Sequence, residues 1–408
     1  PGPIGLPALR WFDRARETQS WPHGARSYVG IGGLSIDDDV APHATTIFSH
    51  SGGNVGSLAC FNRGLLPGER LGRSPGFLLS LLGTHLRGDV ARWHQIDRSL
   101  GEEAARRIAR DRTPFAFCAF TGPDKSAHAD GHDAPSVLAA LRTVDDTVAA
   151  LRADAERDGR WDALHLWIVS DHGHSPVQHH EDLARVVAQW GPRVLAHPWV
   201  YGRRPDVAVM VSGNAMAHLY VGLAERPRAR AGWPALAPQW GWMAERLLER
   251  PSVDLLLLPI DEHRCEVLTR CRGTAHVSTS DGRYSYLPVT GDPLGIGEHH
   301  ALDAHDAWAV TASSDYPDAL VQLAALAATP RAGDLVVSAA RTWDLRSRWE
   351  PIAHRSTHGA LHREHMLVPL VTNHPVAHRP LRTVDVMPSA LTVLGVPRPN
   401  GLDGRSFC

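Results

Sequence analysis

Three short stretches of the chain carry carboxylates and imidazoles at spacings that suit a bound cation. Asp124 and His128 stand in Pro123-Asp124-Lys125-Ser126-Ala127-His128-Ala129-Asp130-Gly131, just after the apolar run Phe115–Phe120. Asp171 and His172 stand in Ser170-Asp171-His172-Gly173-His174, directly after the apolar run Leu164–Val169. His358, His362 and His365 fall close together, just before the apolar run Met366–Val371. An Asp-His pair at a strand end costs desolvation unless something cationic fills the gap. Mixed oxygen and nitrogen donors suit Zn2+ first and Mn2+ second. Two such ions about 4 Å apart clamp the attacking and leaving oxygens of an in-line phosphoryl transfer. Taken singly, each stretch also reads as a solvated loop. The case rests on all three reaching one rim of one sheet, beyond the carboxyl ends of its strands.

The elements that would bring them there are legible in outline. Phe115–Phe120 is a continuous apolar run between Pro114 and Gly122, which reads as a buried strand. Asp133-Ala134-Pro135 signals a helix start. Val137, Leu141, Val144, Val148 and Leu151 then mark one apolar helix face. Leu164–Val169 reads as a second buried strand, Glu181–Gln189 as a second helix, and Glu102–Asp111 as an earlier one. Strand, helix, strand, helix implies an α/β fold, a mainly parallel sheet with helices on both faces. Short apolar stretches at Ser27–Ile31 and Thr45–Phe48 read as edge strands.

From about residue 196 to 330 the pattern changes. Val207–Val211, His218–Val221, Asp254–Ile260, Glu266–Leu268 and Tyr284–Val289 read as short strands, Ala244–Leu248 and Asp318–Ala328 as helices. We take 196–330 as an α+β insertion or cap, and 1–195 with 331–408 as the α/β core. Asp334–Ala340 and Met366–Val371 are expected to resume the core sheet, and Thr383–Leu394 to be a helix.

Composition excludes several classes. With 42 Lys+Arg against 44 Asp+Glu, the net charge of -2 is wrong for a nucleic-acid coat or an acid-tailed scaffold. No apolar run approaches the ~20 residues of a membrane helix. The 25 histidines direct attention to metal geometry, though most read as surface groups. Cys60, Cys118, Cys265, Cys271 and Cys408 contain no CxxC pair, so a thiolate zinc ribbon is disfavoured. Cys265 and Cys271 could pair across a hairpin. The odd count leans towards reduced thiols and the cytoplasm. The opening Pro1-Gly2-Pro3-Ile4-Gly5-Leu6-Pro7 has loop composition and no signal peptide, and reads as the start of a fragment or processed product.

In order, these segments resemble the alkaline phosphatase superfamily, and within it the type I phosphodiesterase/nucleotide pyrophosphatase branch. Pro123-Asp124-x-x-x-His128-x-x-Gly131 is similar to that family's first metal segment, Ser170-Asp171-His172-Gly173 to its second, and Thr357-His358-Gly359 to its late metal histidine. Thr383-Val384-Asp385-Val386-Met387-Pro388, Leu394-Gly395-Val396 and Gly401-Leu402-Asp403-Gly404-Arg405-Ser406 are similar to its tail. The resemblance covers about 114–182 and 332–406. It implies an alkaline-phosphatase-like fold and two divalent metals, Zn2+ or Mn2+. Asp124, His128 and His358 would hold one, Asp171 and His172 the other. It implies hydrolysis of a small-molecule phosphate ester or nucleotide, at phosphodiester or pyrophosphate bonds, through a covalent phospho-enzyme.

The family's nucleophile, a Thr or Ser, and a further aspartate ligand have no counterpart before Asp124. We expect both upstream of Pro1, along with any targeting segment, since Gly2–Arg14 resembles the segment just past the nucleophile in relatives. Asp37-Asp38-Asp39 with Thr45-Thr46 is a weaker substitute. His174 and His362 are read as groups that orient the ligands, with His365 sharing that role or capping the next strand. Lys125 is a candidate contact for a phosphate oxygen; Glu298-His299-His300 reads as a solvated turn. Alternatives are a sulfatase, though no cysteine has proline two residues on, a phosphomonoesterase, or a Mn2+ mutase relative. Outside catalysis, the alternative is a zinc-binding pseudoenzyme or inactive fragment.

Overall fold

The computed structural model describes residues 5–15, 24–28, 33, 35–57, 61–72, 74–196, 205–225, 230–346, 350 and 352–408. Two regions divide the described chain. The first holds the short strands β1 (Val55–Ser57) and β2 (Arg70–Leu71), helices α1 (Pro75–Arg87) and α2 (Val90–Asp111), and strand β3 (Ala116–Cys118). Helices α3 (Gly122–Asp130) and α4 (Pro135–Arg157) and strand β4 (Trp167–Val169) come next. β1 lies between β2 and β3, parallel to both. Val55, Leu71, Trp93, Ile96 and Leu100 bury the seam between this sheet and α2.

The second region is a nine-stranded sheet. Its strands are β5 (Val194–Ala196), β6 (Val207–Ser212), β7 (Met216–Val221), β8 (Val253–Pro259), β9 (Arg264–Thr269), β10 (Gly273–Ser280), β11 (Arg283–Gly291), β12 (His299–Leu302) and β13 (Leu335–Ala339). Their order across the sheet is β12-β11-β10-β9-β8-β13-β7-β6-β5. Only β5 and β6 pair in parallel. Alternation sets the two faces. Val207, Val209, Leu219, Leu256, Leu258, Leu335 and Val337 point to one side, against α5 (Leu183–Gln189) and α6 (Trp233–Leu248). Leu255, Leu257, Val267, Ala275 and Val336 point to the other, against α7 (Ala304–Thr311) and α8 (Ala319–Ala328).

The α/β class stands, with a parallel sheet and flanking helices, but the largest sheet is mixed and mostly antiparallel. The sequence pattern puts β13 in the core layer. It lies instead between β8 and β7, because Leu335–Ala339 is apolar on both faces and only a central strand covers both. The sheet thus runs across the expected boundaries at 196 and 331.

Other elements differ for local reasons. Met366–Val371 divides into a helical turn, Arg363–Met366, and strand β14 (Leu370–Thr372), antiparallel to β4. Thr45–Phe48 is no strand: Ile47–Ser49 form a 3-10 turn and Thr46 Oγ1 donates to Arg63 O. Ala25–Ser27 is a strand paired with Arg10–Phe12, while 29–31 lie outside the described residues. α6 begins eleven residues before the expected Ala244, at Trp233. Pro234 and Pro238 read as breakers, yet Pro234 sits in the first turn, where its missing N–H costs nothing. Cys265 is buried on β9 and Cys271 is exposed beyond it, both as free thiols. Cys60 lies outside the described residues.

The runs Phe115–Phe120 and Leu164–Val169 do form strands, but not buried ones. Phe117 is 43% exposed and Val371, on the strand beside β4, 55%. On α4 the expected buried face also differs: Leu141 is 48% exposed, and Ala140, Thr143 and Ala155 are the buried residues.

Candidate metal centre

The first metal-type pair sits on a helix, not in a loop. α3 places Asp124 and His128 four residues apart, so both side chains leave the same face. Pro123 falls in the first turn, the position that starts helices. Asp97, on α2, fixes the entry: its carboxylate accepts from Thr121 N at 3.1 Å and Gly122 N at 2.6 Å. A carboxylate there satisfies N–H groups that no helical carbonyl reaches. Burial pushes the Asp97 carboxyl up to about 6, despite those bonds.

The other segments are tied to α3 and to each other. Ser356–Thr357 pairs antiparallel with Ser175–Pro176, joining the late histidine segment to the Asp-His-Gly segment. Gly173 N donates to His365 O, and a Cβ on Gly173 would lie 2.1 Å from Glu364 O, so only glycine allows this approach. The turn between β6 and β7 holds His358: His358 N donates to Gly213 O, and Ala215 N donates to His358 O.

These ties converge imidazoles on one atom, Asp124 Oδ1. His174 Nε2 lies 3.1 Å from it, His128 Nε2 3.3 Å, His358 Nε2 3.7 Å and His172 Nε2 4.0 Å. His172 and His358 stack, with centroids 3.5 Å apart and planes 1° from parallel. Asp124, His128, His174 and His358 each offer a donor atom within 4.8 Å of the others.

The chemistry of this set fits a divalent cation. His128 Nδ1 faces Ser356 O at 2.9 Å, so it carries the proton and leaves Nε2 a lone pair towards the cluster. His174 Nδ1 bonds Ser356 Oγ at 3.1 Å, which orients its ring likewise. Burial, then neighbouring His172, depresses His358 well below the ordinary imidazole range, and burial lowers His174, so both are neutral. Burial alone would raise the Asp124 carboxyl. Lys125, whose ammonium is 2.7 Å from Oδ2, and the surrounding imidazoles hold it well below the ordinary range instead. Neutral imidazoles around an ionised carboxylate are the protonation states a cation requires.

The remaining expected residues fall into place unequally. His174, expected behind the ligands, belongs among the donors. Asp171 is 87% exposed at the rim, 3.6 Å from His172 Nε2. His362 does not orient His358: its Nε2 donates to Ala339 O in the sheet. His365 bonds Ser175 Oγ and accepts from Ala360 N, bracing the loop. His300 is exposed beside Glu298. Asp39 binds Tyr28 Oη, Asp37 accepts from Asn62 N and Thr45 meets His50, so the weaker substitute is engaged elsewhere.

His354 is a participant that the motifs do not reveal. It packs on the His128 ring at 4.1 Å and bonds Asp344, a carboxylate with no solvent exposure. Its position four residues before His358 is the one signal the sequence offers. The hydroxyls of these segments are occupied: Ser356 donates to Ala127 O, Thr357 to Gly213 O, Ser170 to His172 O, and Thr121 meets Asp97.

Residues 41–239 match the family model of type I phosphodiesterase / nucleotide pyrophosphatase. No curated protein sequence matches the chain. Among solved structures the chain is similar to murine ectonucleotide pyrophosphatase / phosphodiesterase 5, an inactive variant in complex with AMP. Identity is 12%, covering 98% of this chain and 81% of that one, with a TM-score of 0.51. It is also similar to phosphonoacetate hydrolase from Sinorhizobium meliloti in complex with phosphonoformate. Identity there is 13%, covering 96% and 81%, with a TM-score of 0.50. At such identities the likeness concerns the fold. The chain thus has the fold of these hydrolases, and a segment just short of half its length matches the type I phosphodiesterase / nucleotide pyrophosphatase family model.

Proposed function

We propose that this chain is a metal-dependent hydrolase of phosphate esters, acting on phosphodiester or nucleotide pyrophosphate bonds of a small-molecule substrate. The observation that carries the reading is the convergence of four imidazole nitrogens on Asp124 Oδ1. Asp124, His128, His174 and His358 would hold one divalent ion, and His172 with Asp171 a second at the rim, with Zn2+ the better match to this donor set. A bound ion supplies charge stabilisation at phosphoryl oxygens and lowers the pKa of an attacking hydroxyl.

The chain's own residues do the rest. Ser356 orients His128 and His174 through its carbonyl and hydroxyl. Lys125, half-buried beside Asp124, offers a positive charge to a phosphate oxygen at the mouth of the cluster. Because the neighbouring hydroxyls already donate elsewhere, the attacking Thr or Ser is assigned to none of them. Such a reaction passes through a covalent phospho-enzyme on that hydroxyl.

The test is hydrolysis of bis-p-nitrophenyl phosphate by the chain, set against the monoester and the sulfate ester. We expect the diester to be preferred, a chelator to abolish turnover, and Asp124→Asn to lower kcat/KM by about 1,000-fold or more. Preference for the sulfate, or a rate indifferent to both chelator and Asp124→Asn, contradicts the proposal. Zinc binding with no turnover supports the non-catalytic alternative.

A further inference from the structure

A second polar recess lies in the nine-stranded region, away from the imidazole cluster. It is a cavity of about 410 Å3 lined by Asp254, Arg272, Leu294, Tyr316, Arg341 and His362, among others. That volume falls in the range of small-molecule sites.

Its floor is built and incomplete. His362 is only 2% exposed. Its Nε2 lies 2.7 Å from Ala339 O, and a carbonyl only accepts, so the ring proton is on Nε2. Nδ1 is then a buried lone pair, and among the described residues it has no hydrogen-bond partner. Burial lowers the His362 pKa, which keeps the ring neutral. Asp254 Oδ2 lies 4.0 Å from Nδ1, already accepting from Tyr316 Oη at 2.6 Å, while Arg272 Nη2 holds Oδ1 at 2.8 Å. The floor thus presents two acceptors a short gap apart. An unsatisfied buried acceptor is costly, so the gap favours a donor. One ammonium nitrogen at ~2.9 Å from each atom would reach both, roughly 90° apart.

The mouth has the opposite character. Arg272 and Arg341 are 42% and 40% exposed there. Each spends Nε and Nη2 on named partners: Arg272 on Pro293 O and Asp254, Arg341 on Glu364 and Asp315. The Nη1 of each takes part in none of these bonds and is left for a molecule entering the recess.

We propose that this recess binds a small zwitterion, its primary ammonium on His362 Nδ1 and Asp254 and its anionic end on Arg272 and Arg341. The site stands apart from the phosphate-ester chemistry, since His362 turns into the sheet rather than towards Asp124.

The test is calorimetric titration with β-alanine and with phosphoethanolamine, in an Asp124→Asn background so that the metal cluster does not compete for the probes. Ethanolamine and inorganic phosphate serve as half-ligands. We expect at least one zwitterion to bind, each half-ligand to bind about tenfold more weakly or worse, and Arg341→Ala to weaken binding about tenfold. Arg341 is a rim residue, so that variant folds. His362→Gln, which keeps a donor for Ala339 O, should weaken the ammonium end alike. Whichever zwitterion binds tells a carboxylate site from a phosphate site. Binding of neither, phosphate alone binding as tightly, or indifference to both substitutions overturns the proposal.

Discussion

The nine-stranded sheet and the strands that lead into the metal cluster are written in the same residues and end in different states. Val207–Val211 is a continuous apolar run, Leu335–Ala339 is one but for Ser338, and every side chain in them is buried. Phe115–Phe120 and Leu164–Val169 have the same appearance, yet Phe117 and the Val371 beside them stand in solvent. The first group has strands on both sides and cover on both faces, from helices and, over Ala208 and Met210, from the paired strands Arg10–Phe12 and Ala25–Ser27. The second has β3 paired on one edge, to β1, and β4 paired on one edge, to β14. An apolar run therefore reports that a strand wants covering on both faces, while whether the cover is present depends on which elements reach it. The strands at the cluster do their positional work from their ends: they set down α3 and the Asp-His-Gly loop, and hydrogen bonds between loops close the site.

This contrast is open to experiment. The largest effect is expected in the covered sheet. Leu256→Ala, at a site with no exposure, should cost about 2–5 kcal/mol in urea unfolding. Leu141→Ala, on the exposed face of α4, should stay within about 0.5 kcal/mol. Equal losses would mean that the α4 face is covered in solution.

Acid should act next, and through buried imidazoles. Burial pushes His218 and His365 down to about 3, each from an unfolded value near 6.5. Their folded pKa is depressed, so the stability they contribute is present above pH 6.5 and is lost as pH falls towards 3. The raised carboxyl of Asp97 works the other way: its contribution is full below 3.8 and lost as pH rises through about 6. Two groups against one give a urea midpoint that falls from pH 7 to pH 4. His218→Asn, which keeps an acceptor for Gly333 N, should make that fall shallower. A midpoint that rises on acidification would contradict the burial of these rings.

A smaller effect separates scaffold from site. Asp97→Ala strands the N–H groups of Thr121 and Gly122 and should cost about 1–3 kcal/mol, with Asp97→Asn costing less. Because α3 carries two of the donors, the alanine variant should also bind zinc more weakly. An unchanged zinc affinity would show that α3 needs no such anchor.

Much of the site is legible in the amino-acid sequence. Asp124, His128 and His358 converge as their spacing and family resemblance suggest, since strand ends are where an α/β fold gathers its ligands. The place of His174 among the donors is not legible, because the sequence does not say which of two alternate histidines turns inward. Ser356 decides that, by bonding the Nδ1 of His174 from another segment. His354 and Asp344 stay hidden for the same reason, their pairing being made across ten residues of sequence. α3 reads as loop because Gly122 and Pro123 look like breakers and act here as a helix start. The course of β13 is not legible either, since an apolar run does not name its neighbours.

The most direct measurement is the zinc affinity of the chain by calorimetry, with metal content per chain determined alongside. We expect at least one tightly held ion, with Asp124→Asn and His358→Ala each weakening it by about 100-fold or more. His300→Ala, an exposed control, should leave it unchanged. If Asp124→Asn binds zinc as tightly as the parent chain, the four imidazoles around Asp124 Oδ1 are not a metal centre.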